Sequence, residues 1–389
     1  MFSIRLAAIS LVVTLLAGPG FGQVPPVSQW RGVNDAGGEF NSSPKGLPGT
    51  YDKDYHFSGL ETLKYFRAQG FNMVRVPFRW ERVQRLKTPA TKDVPPELEP
   101  KLEQAEVGRL LAYLDNAREA AMGVVLDMHN YGVYKHVAED GKFVTAVVGK
   151  DAPVPTEAFA AFWKQLAVAL KDKPALWGYD LCNEPQYKNA EDWKQLTRAA
   201  VAAIRSVDTT HSILVEGTGW SHGGGWEKRH GPPWIDDPAG KVIYEAHDYM
   251  DADNSGTYRK SYEDETKSGK NPAARAIERI APFAQWCQTY HVSGFLGEFG
   301  VPRKAPGWLT VLGAYLQKAQ DEHLGWCYWA AGEWWGEGYP LSVQPRKSKD
   351  TAAAGGPQEH RPQMEVLRKY LTPKDAAPAS PPGAPAPKP

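Results

Sequence analysis

Two carboxylic acids carry the strongest chemical signal in this sequence, and each closes a short apolar run. Glu184 ends Ala175-Leu-Trp-Gly-Tyr-Asp-Leu-Cys-Asn-Glu-Pro185, and Glu298 ends the run that opens Gly294-Phe-Leu-Gly-Glu298-Phe-Gly300. Such runs read as buried strands, and Pro185 forbids any further ladder hydrogen bond. A carboxyl placed where a buried strand meets a loop stands on a rigid support with its functional end free. A single one is weak evidence, because strand-end acids also cap helices and pair with Arg. Two of them, far apart in sequence, suit hydrolysis of a glycosidic bond, which needs one carboxyl protonated to donate to the leaving oxygen and one ionised to attack the anomeric carbon. The protein must then push the two pKa values apart.

The residues expected to share that rim fit the same chemistry. Arg75 is a permanent cation suited to holding a carboxylate ionised, and His247 and Tyr249 can donate hydrogen bonds to it. Asn183, beside Glu184, can bind a sugar hydroxyl, and Trp329 offers a flat face for pyranose C–H groups. His129 and Asn130 stand at another strand exit, while Trp220 and Trp335 lie in aromatic-rich loops where they can touch sugar. Each has a plainer explanation when taken alone: packing for the histidines and tryptophans, ion pairing for Arg75. Gathered at one rim, they predict a substrate-binding set around Glu184 and Glu298.

These groups need a scaffold that presents many strand ends on one side. From Trp30 onward, short apolar runs alternate with amphipathic segments, the pattern of repeated βα units. Strands are expected at 29–33, 71–77, 123–128, 175–182, 212–216, 242–246, 294–298 and 325–329. Between them, helical stripes are predicted near 59–69, 103–122, 156–171, 191–207, 272–290, 307–320 and 359–370. Ser58-Gly-Leu-Glu61 reads as a capping box opening the first helix, which Gly70 ends. The stretch holding Trp220, Trp226 and Trp234 reads as a Gly- and Trp-rich loop. Eight strands in this succession predict an α/β fold of the (β/α)8 TIM-barrel kind, in one catalytic domain. A doubly wound open sheet is the alternative, but no Gly-rich phosphate loop follows the first strand.

Bulk properties narrow the partners. The chain has 389 residues, with 45 basic and 45 acidic side chains and a pI near 7.2, so charge makes no case for nucleic acid or an anionic membrane. Residues 1–22 have the layout of a secretory signal peptide, with a basic start, an apolar run too short to span a membrane and a small-residue end. The catalytic domain is expected over residues 23–372, and the Pro/Ala-rich segment 373–389 as a disordered tail. Cys182, Cys287 and Cys327 read as buried free thiols, and no CxxC or HExxH pattern marks a metal site. A secreted monomer that acts without metal or cofactor is expected.

The ordered set Arg75, His129, Asn183-Glu184, His247 with Tyr249, Glu298 and Trp329 resembles glycoside hydrolase family 5, over roughly Trp30 to Tyr370. Phe78-Arg-Trp-Glu-Arg-Val-Gln84, Met128-His-Asn-Tyr131, the segment His247 to Thr257 and Trp334-Trp335 are similar to the family's secreted endo-β-1,4-glucanase branch. The resemblance implies a retaining hydrolase in which Glu184 is the acid/base and Glu298 the nucleophile, acting on β-linked polysaccharide or oligosaccharide. A β-mannanase, another β-glucanase or a transglycosylase would use the same catalytic set, and a barrel that only binds glycan is the non-enzymatic alternative. The 135–154 segment and the basic stretch Glu227 to His230 have no counterpart in the resemblance.

Overall fold

The computed structural model describes residues 23–88, 96–267, 269, 271–346 and 359–371. The expected signal segment and Pro/Ala-rich tail lie outside the described residues. Eight strands form the barrel: β1 (Arg31–Asp35), β2 (Met73–Phe78), β3 (Gly123–Met128), β4 (Leu176–Asp180), β5 (Ser212–Glu216), β6 (Val242–His247), β7 (Ser293–Glu298) and β8 (Gly325–Ala331). They pair in the order β1-β8-β7-β6-β5-β4-β3-β2, every neighbour parallel, and β2 closes on β1. The strands are almost wholly buried because both faces of a parallel barrel are covered.

The helices that follow the strands are α1 (Leu60–Gln69), α2 (Gln104–Glu119), α3 (Thr156–Leu170), α4 (Ala190–Arg205), α5 (Trp226–His230), α6 (Pro272–Tyr290), α7 (Pro306–Asp321) and α8 (Gln363–Leu367). Their buried faces follow the helical period: α4 buries Trp193, Leu196, Ala200 and Ile204. The Asn189 side chain caps α4, while Asn271 caps α6 with Pro272 in its first turn.

The barrel interior is layered, and the layering positions the site. Trp30, Met73, Val125, Trp177, Leu214, Ile243, Phe295 and Cys327 form one buried apolar cluster, with Trp30 packed 5.4 Å from Trp177 and 5.8 Å from Phe295. Strand side chains alternate with period two, so residues two further on enter the next interior layer. On β2, β3, β5 and β6 these are Arg75, Asp127, Glu216 and Glu245, all fully buried. The β3–β4 register shifts between Val124 and Val125, so that Asp180 pairs with Asp127 and joins the same layer. An apolar floor therefore carries a charged layer, and the loops stand above it.

The structure corrects several expectations. The first helix is not opened by a capping box: Gly59 is its N-cap, and the Ser58 hydroxyl donates to Asp35 instead. Glu333, distant in sequence, accepts from the Gly59 N–H and the Thr62 hydroxyl, so tertiary packing does the capping. The first strand runs two residues later than expected, because Gln29 belongs to a short 3₁₀ turn. The Gly- and Trp-rich loop contains α5, which includes the basic stretch up to His230, and Trp226 and Trp234 are buried in the core. The last helix is a short turn over Gln363–Leu367 continued by 3₁₀ structure at Arg368–Tyr370. Within the unmatched 135–154 segment, Phe143–Val147 pairs antiparallel with Val133–Val137 as a hairpin. All three cysteines are buried and free.

Candidate active site

Arg75 is the hub of the charged layer. Its guanidinium lies 3.0 Å from Asp127, 2.7 Å from Asp180, 3.1 Å from Glu216, 3.2 Å from Glu245 and 3.1 Å from Glu298. It also donates to the side-chain oxygens of Asn34 (3.0 Å) and Asn183 (2.9 Å). One cation cannot offset five buried carboxylates, so some of these groups hold protons. Burial pushes the Asp127 carboxyl up, but Arg75 and His129 outweigh it and hold it below its ordinary value. Burial and the neighbouring acids push Asp180 and Glu216 well up, and burial takes Glu245 to about 8.

Glu298, at the end of β7, receives Arg75 Nη1 on Oε1 at 3.1 Å and the Tyr249 hydroxyl on Oε2 at 3.0 Å. Burial and then the Glu184 charge push its carboxyl well above its ordinary value, against the opposing pull of Arg75 and the Tyr249 hydrogen bond. Glu184 follows β4 in a left-handed backbone conformation, φ +44°, and its side chain retains some exposure. Its Oε1 lies 3.1 Å from His247 Nδ1, and its backbone N–H donates to Glu216 Oε2 at 2.7 Å. Single oxygens of Glu184 and Glu298 and a ring nitrogen of His247 all lie within 4.8 Å of one another. Two carboxyls that close do not both ionise cheaply. Arg75 and Tyr249 both donate to Glu298, so of the two acids it is the one with donors placed to receive a negative charge. Burial lowers His247 to about 4, so the imidazole between the two acids is neutral.

Above this pair opens a cavity of about 710 Å³. Of the expected residues, His129, Glu184, Trp220, Tyr249, Glu298 and Trp329 line it. The His129 ring stacks on Trp329 (centroids 5.6 Å, 18° apart), and its Nδ1 is held by Asp127 at 2.7 Å. Trp220, 48% exposed, meets Tyr131 edge to face at 6.0 Å. Arg75 and His247 do not face the cavity; they act on the carboxylates from behind. Asn183 does not line the cavity either: it accepts from Arg75 through Oδ1, and its buried Nδ2 has no protein partner.

Asn130 and Trp335 do not reach the cavity wall. The Asn130 amide is used up in holding the loop, accepting from Trp80 N–H and donating to Glu81 and the Val133 carbonyl. Trp335 stacks on Tyr339 (3.8 Å, 15°) and packs edge-on to Trp329 (6.5 Å), buttressing the wall from outside. Tyr339 in turn accepts from Trp329 Nε1 through its hydroxyl at 2.8 Å. Sequence reasoning missed Asn34, which lies just past the strand expected at 29–33, and also Tyr131, Tyr339 and the four interior acids Asp127, Asp180, Glu216 and Glu245. The acids had a signal: an ionisable residue inside an apolar strand is costly unless partnered, so each implies a counter-charge in the barrel.

A closed parallel barrel that sets two facing carboxylates at the floor of an aromatic-walled cavity, at the C-terminal ends of its strands, defines a glycoside hydrolase. The chain belongs to glycosyl hydrolase family 5, whose family model, Cellulase, matches residues 33–334. It is 30% identical over 321 residues to Endoglucanase gh5-1 of Neurospora crassa, covering 82% of this chain and 73% of that protein. It is 29% identical over 357 residues to the probable endo-beta-1,4-glucanase B of Neosartorya fischeri, covering 89% and 92%. Among solved structures, Pseudomonas stutzeri endoglucanase Cel5A in complex with cellobiose superposes with a TM-score of 0.73 at 34% identity, covering 90% of this chain and 97% of that one. XacCel5A in complex with cellopentaose gives 0.71 at 32%, covering 88% and 99%.

Proposed function

We propose that the chain is a secreted, retaining endo-β-1,4-glucanase in which Glu298 is the nucleophile and Glu184 the acid/base. The observation that carries the mechanism is the spacing: carboxylate oxygens within 4.8 Å of each other leave no room for the intervening water that inversion requires. Glu298 attacks the anomeric carbon as Glu184 gives its proton to the departing oxygen. A glycosyl ester on Glu298 results. Glu184, now ionised, takes a proton from water, which attacks the same carbon and restores both carboxyls. Trp329, Trp220 and Tyr131 supply flat faces for sugar rings.

The relatives named as endo-β-1,4-glucanases and the neighbours solved with cellobiose and cellopentaose support β-1,4-glucan as substrate. Internal cleavage predicts that carboxymethylcellulose loses viscosity faster than reducing ends accumulate; release of single glucose units alone would refute it. Glu184→Ala should cripple cleavage of glucan but not the glycosylation step with a dinitrophenyl cellobioside, and azide should then yield a β-glycosyl azide. An α-azide, or rescue of Glu298→Gln in its place, would overturn the roles. No helix among the described residues is long and apolar enough to cross a membrane. Export through the signal at residues 1–22 predicts a mature enzyme, in the medium or the periplasm, that starts at Gln23.

A further inference from the structure

Beneath the two catalytic candidates lies machinery that the mechanism above does not use. Glu216, the last residue of β5, is fully buried, and both its oxygens face donors. Oε2 accepts the Glu184 N–H at 2.7 Å; Oε1 accepts from Arg75 Nη2 at 3.1 Å and lies 3.4 Å from His247 Nε2. Glu184 stands at φ +44°, a left-handed backbone state that is strained for a non-glycine residue and needs something to hold it. The hydrogen bond from its N–H to Glu216 Oε2 supplies such an anchor.

The second link runs through the imidazole. His247 Nε2 faces Glu216 Oε1 and, at 3.2 Å, Glu245 Oε1; Nδ1 faces Glu184 Oε1 at 3.1 Å and Glu298 Oε2 at 3.9 Å. Arg75 contacts Glu216, Glu245 and Glu298 from β2, and Asp127 and Asp180 complete the charged surroundings. Asp180 Oδ1 and Glu245 Oε2 are buried without partners, which are the places where shared protons can sit. Burial and the neighbouring acids push the Glu216 carboxyl up, yet the Glu184 N–H donates to one of its oxygens and Arg75 to the other, so its geometry is that of an acceptor.

We propose that Glu216 is a positioning residue for the acid/base carboxyl. It anchors the Glu184 backbone and backs Glu245, whose Oε1 is the hydrogen-bond partner of His247 Nε2 at 3.2 Å, in keeping His247 in the Nε2–H tautomer, so that the Nδ1 lone pair accepts from protonated Glu184 and favours the acid form. The inference rests on the reading of Glu184 as acid/base.

Glu216→Gln tests it with no change of shape. A glutamine has one acceptor and one NH₂, so the NH₂ must confront either the Glu184 N–H or the Arg75–His247 side. Expected is a loss of kcat/KM on cellopentaose of at least about tenfold, with its basic limb moved about one pH unit toward acid. On 2,4-dinitrophenyl cellobioside, whose leaving group needs no proton, kcat/KM should stay within about twofold. An equal loss on both substrates would reduce Glu216 to a structural role, and no loss on either would dismiss it. Glu184→Ala, run in parallel, separates the two readings: if it shows the leaving-group dependence and Glu216→Gln does not, only the positioning role fails, and if it shows none, the acid/base reading falls as well. A further measurement needs no Glu216 variant. ¹⁵N-histidine-labelled wild-type enzyme, with His247 assigned by difference from His247→Asn, should show the Nε2–H tautomer from about pH 5 to about pH 8. The Nδ1–H tautomer would overturn the proposal.

Discussion

Removing the Tyr249 hydroxyl, as Tyr249→Phe, isolates one of the two donors that hold the charge on Glu298. The bond is 3.0 Å long, and the Glu298 side chain is 5% exposed, so solvent can replace little of it. A hydrogen bond to a charged group contributes about 1.5–3 kcal/mol net, and about 1.4 kcal/mol corresponds to one pKa unit. The Glu298 carboxyl should therefore rise by about one to two units. Its ionised form is the reactive one, so activity should be lost at a higher pH as the solution is acidified. The assay is kcat/KM for 2,4-dinitrophenyl cellobioside against pH, because this quantity reports free-enzyme pKa values and the leaving group makes no demand on Glu184. The acid limb should move to higher pH, while the plateau above it changes far less. A uniform fall at every pH with an unmoved limb would mean that Tyr249 only shapes the cleft, and the reasoning would fail.

Other outcomes follow from the same geometry. Glu333→Ala removes the tertiary cap of α1 and should cost about 1–2 kcal/mol of stability in thermal denaturation with kcat unchanged; an unaltered melting temperature would contradict the capping. Trp220→Ala should raise KM for cellopentaose by about tenfold, the worth of one aromatic contact near 1.4 kcal/mol, with kcat little changed. A fall in kcat alone would place this ring away from bound sugar. Burial raises Asp35 to about 6, Glu39 and Asp248 to about 7 and Glu245 to about 8. Their stability contributions are complete below the unfolded carboxyl values and are lost as pH rises through these folded ones. His129 and His247, lowered by burial to about 4, weaken the fold only as pH falls below about 6.5. Calorimetry should therefore show the melting temperature falling between about pH 6.5 and about pH 8, and a rise over that window would refute the burial of protonated acids. Exhaustive chelation should leave the rate intact; loss restored by one specific divalent ion would contradict a mechanism run by carboxylates alone.

The barrel and the two glutamates were legible because their signals are local. A buried parallel strand must be an apolar run, an amphipathic helix must repeat near 3.6 residues, and an ionisable group at a strand exit stands out against both. Elements such as β3 and α6 fell where the pattern put them. Ser58 misled because a capping box is scored on four neighbouring residues, whereas its hydroxyl was claimed by Asp35 and the helix end by Glu333, both remote in sequence. Asn130 misled for a similar reason: lying next to His129 says nothing about which amide the loop will spend on its own backbone.

By itself the sequence determined eight βα units and the strand ends that carry Glu184 and Glu298. Barrel closure decided the rest. It brought Arg75 from β2 within 3.1 Å of Glu298 from β7, and set His247 from β6 between that acid and Glu184 after β4. It also gathered Asp127, Asp180, Glu216 and Glu245 around a single guanidinium. Period two states which residues share a face, but only register and shear state which of them meet. The electrostatic character of each carboxyl depends on those meetings, because burial and neighbouring charge, and not residue type, decide where a proton rests.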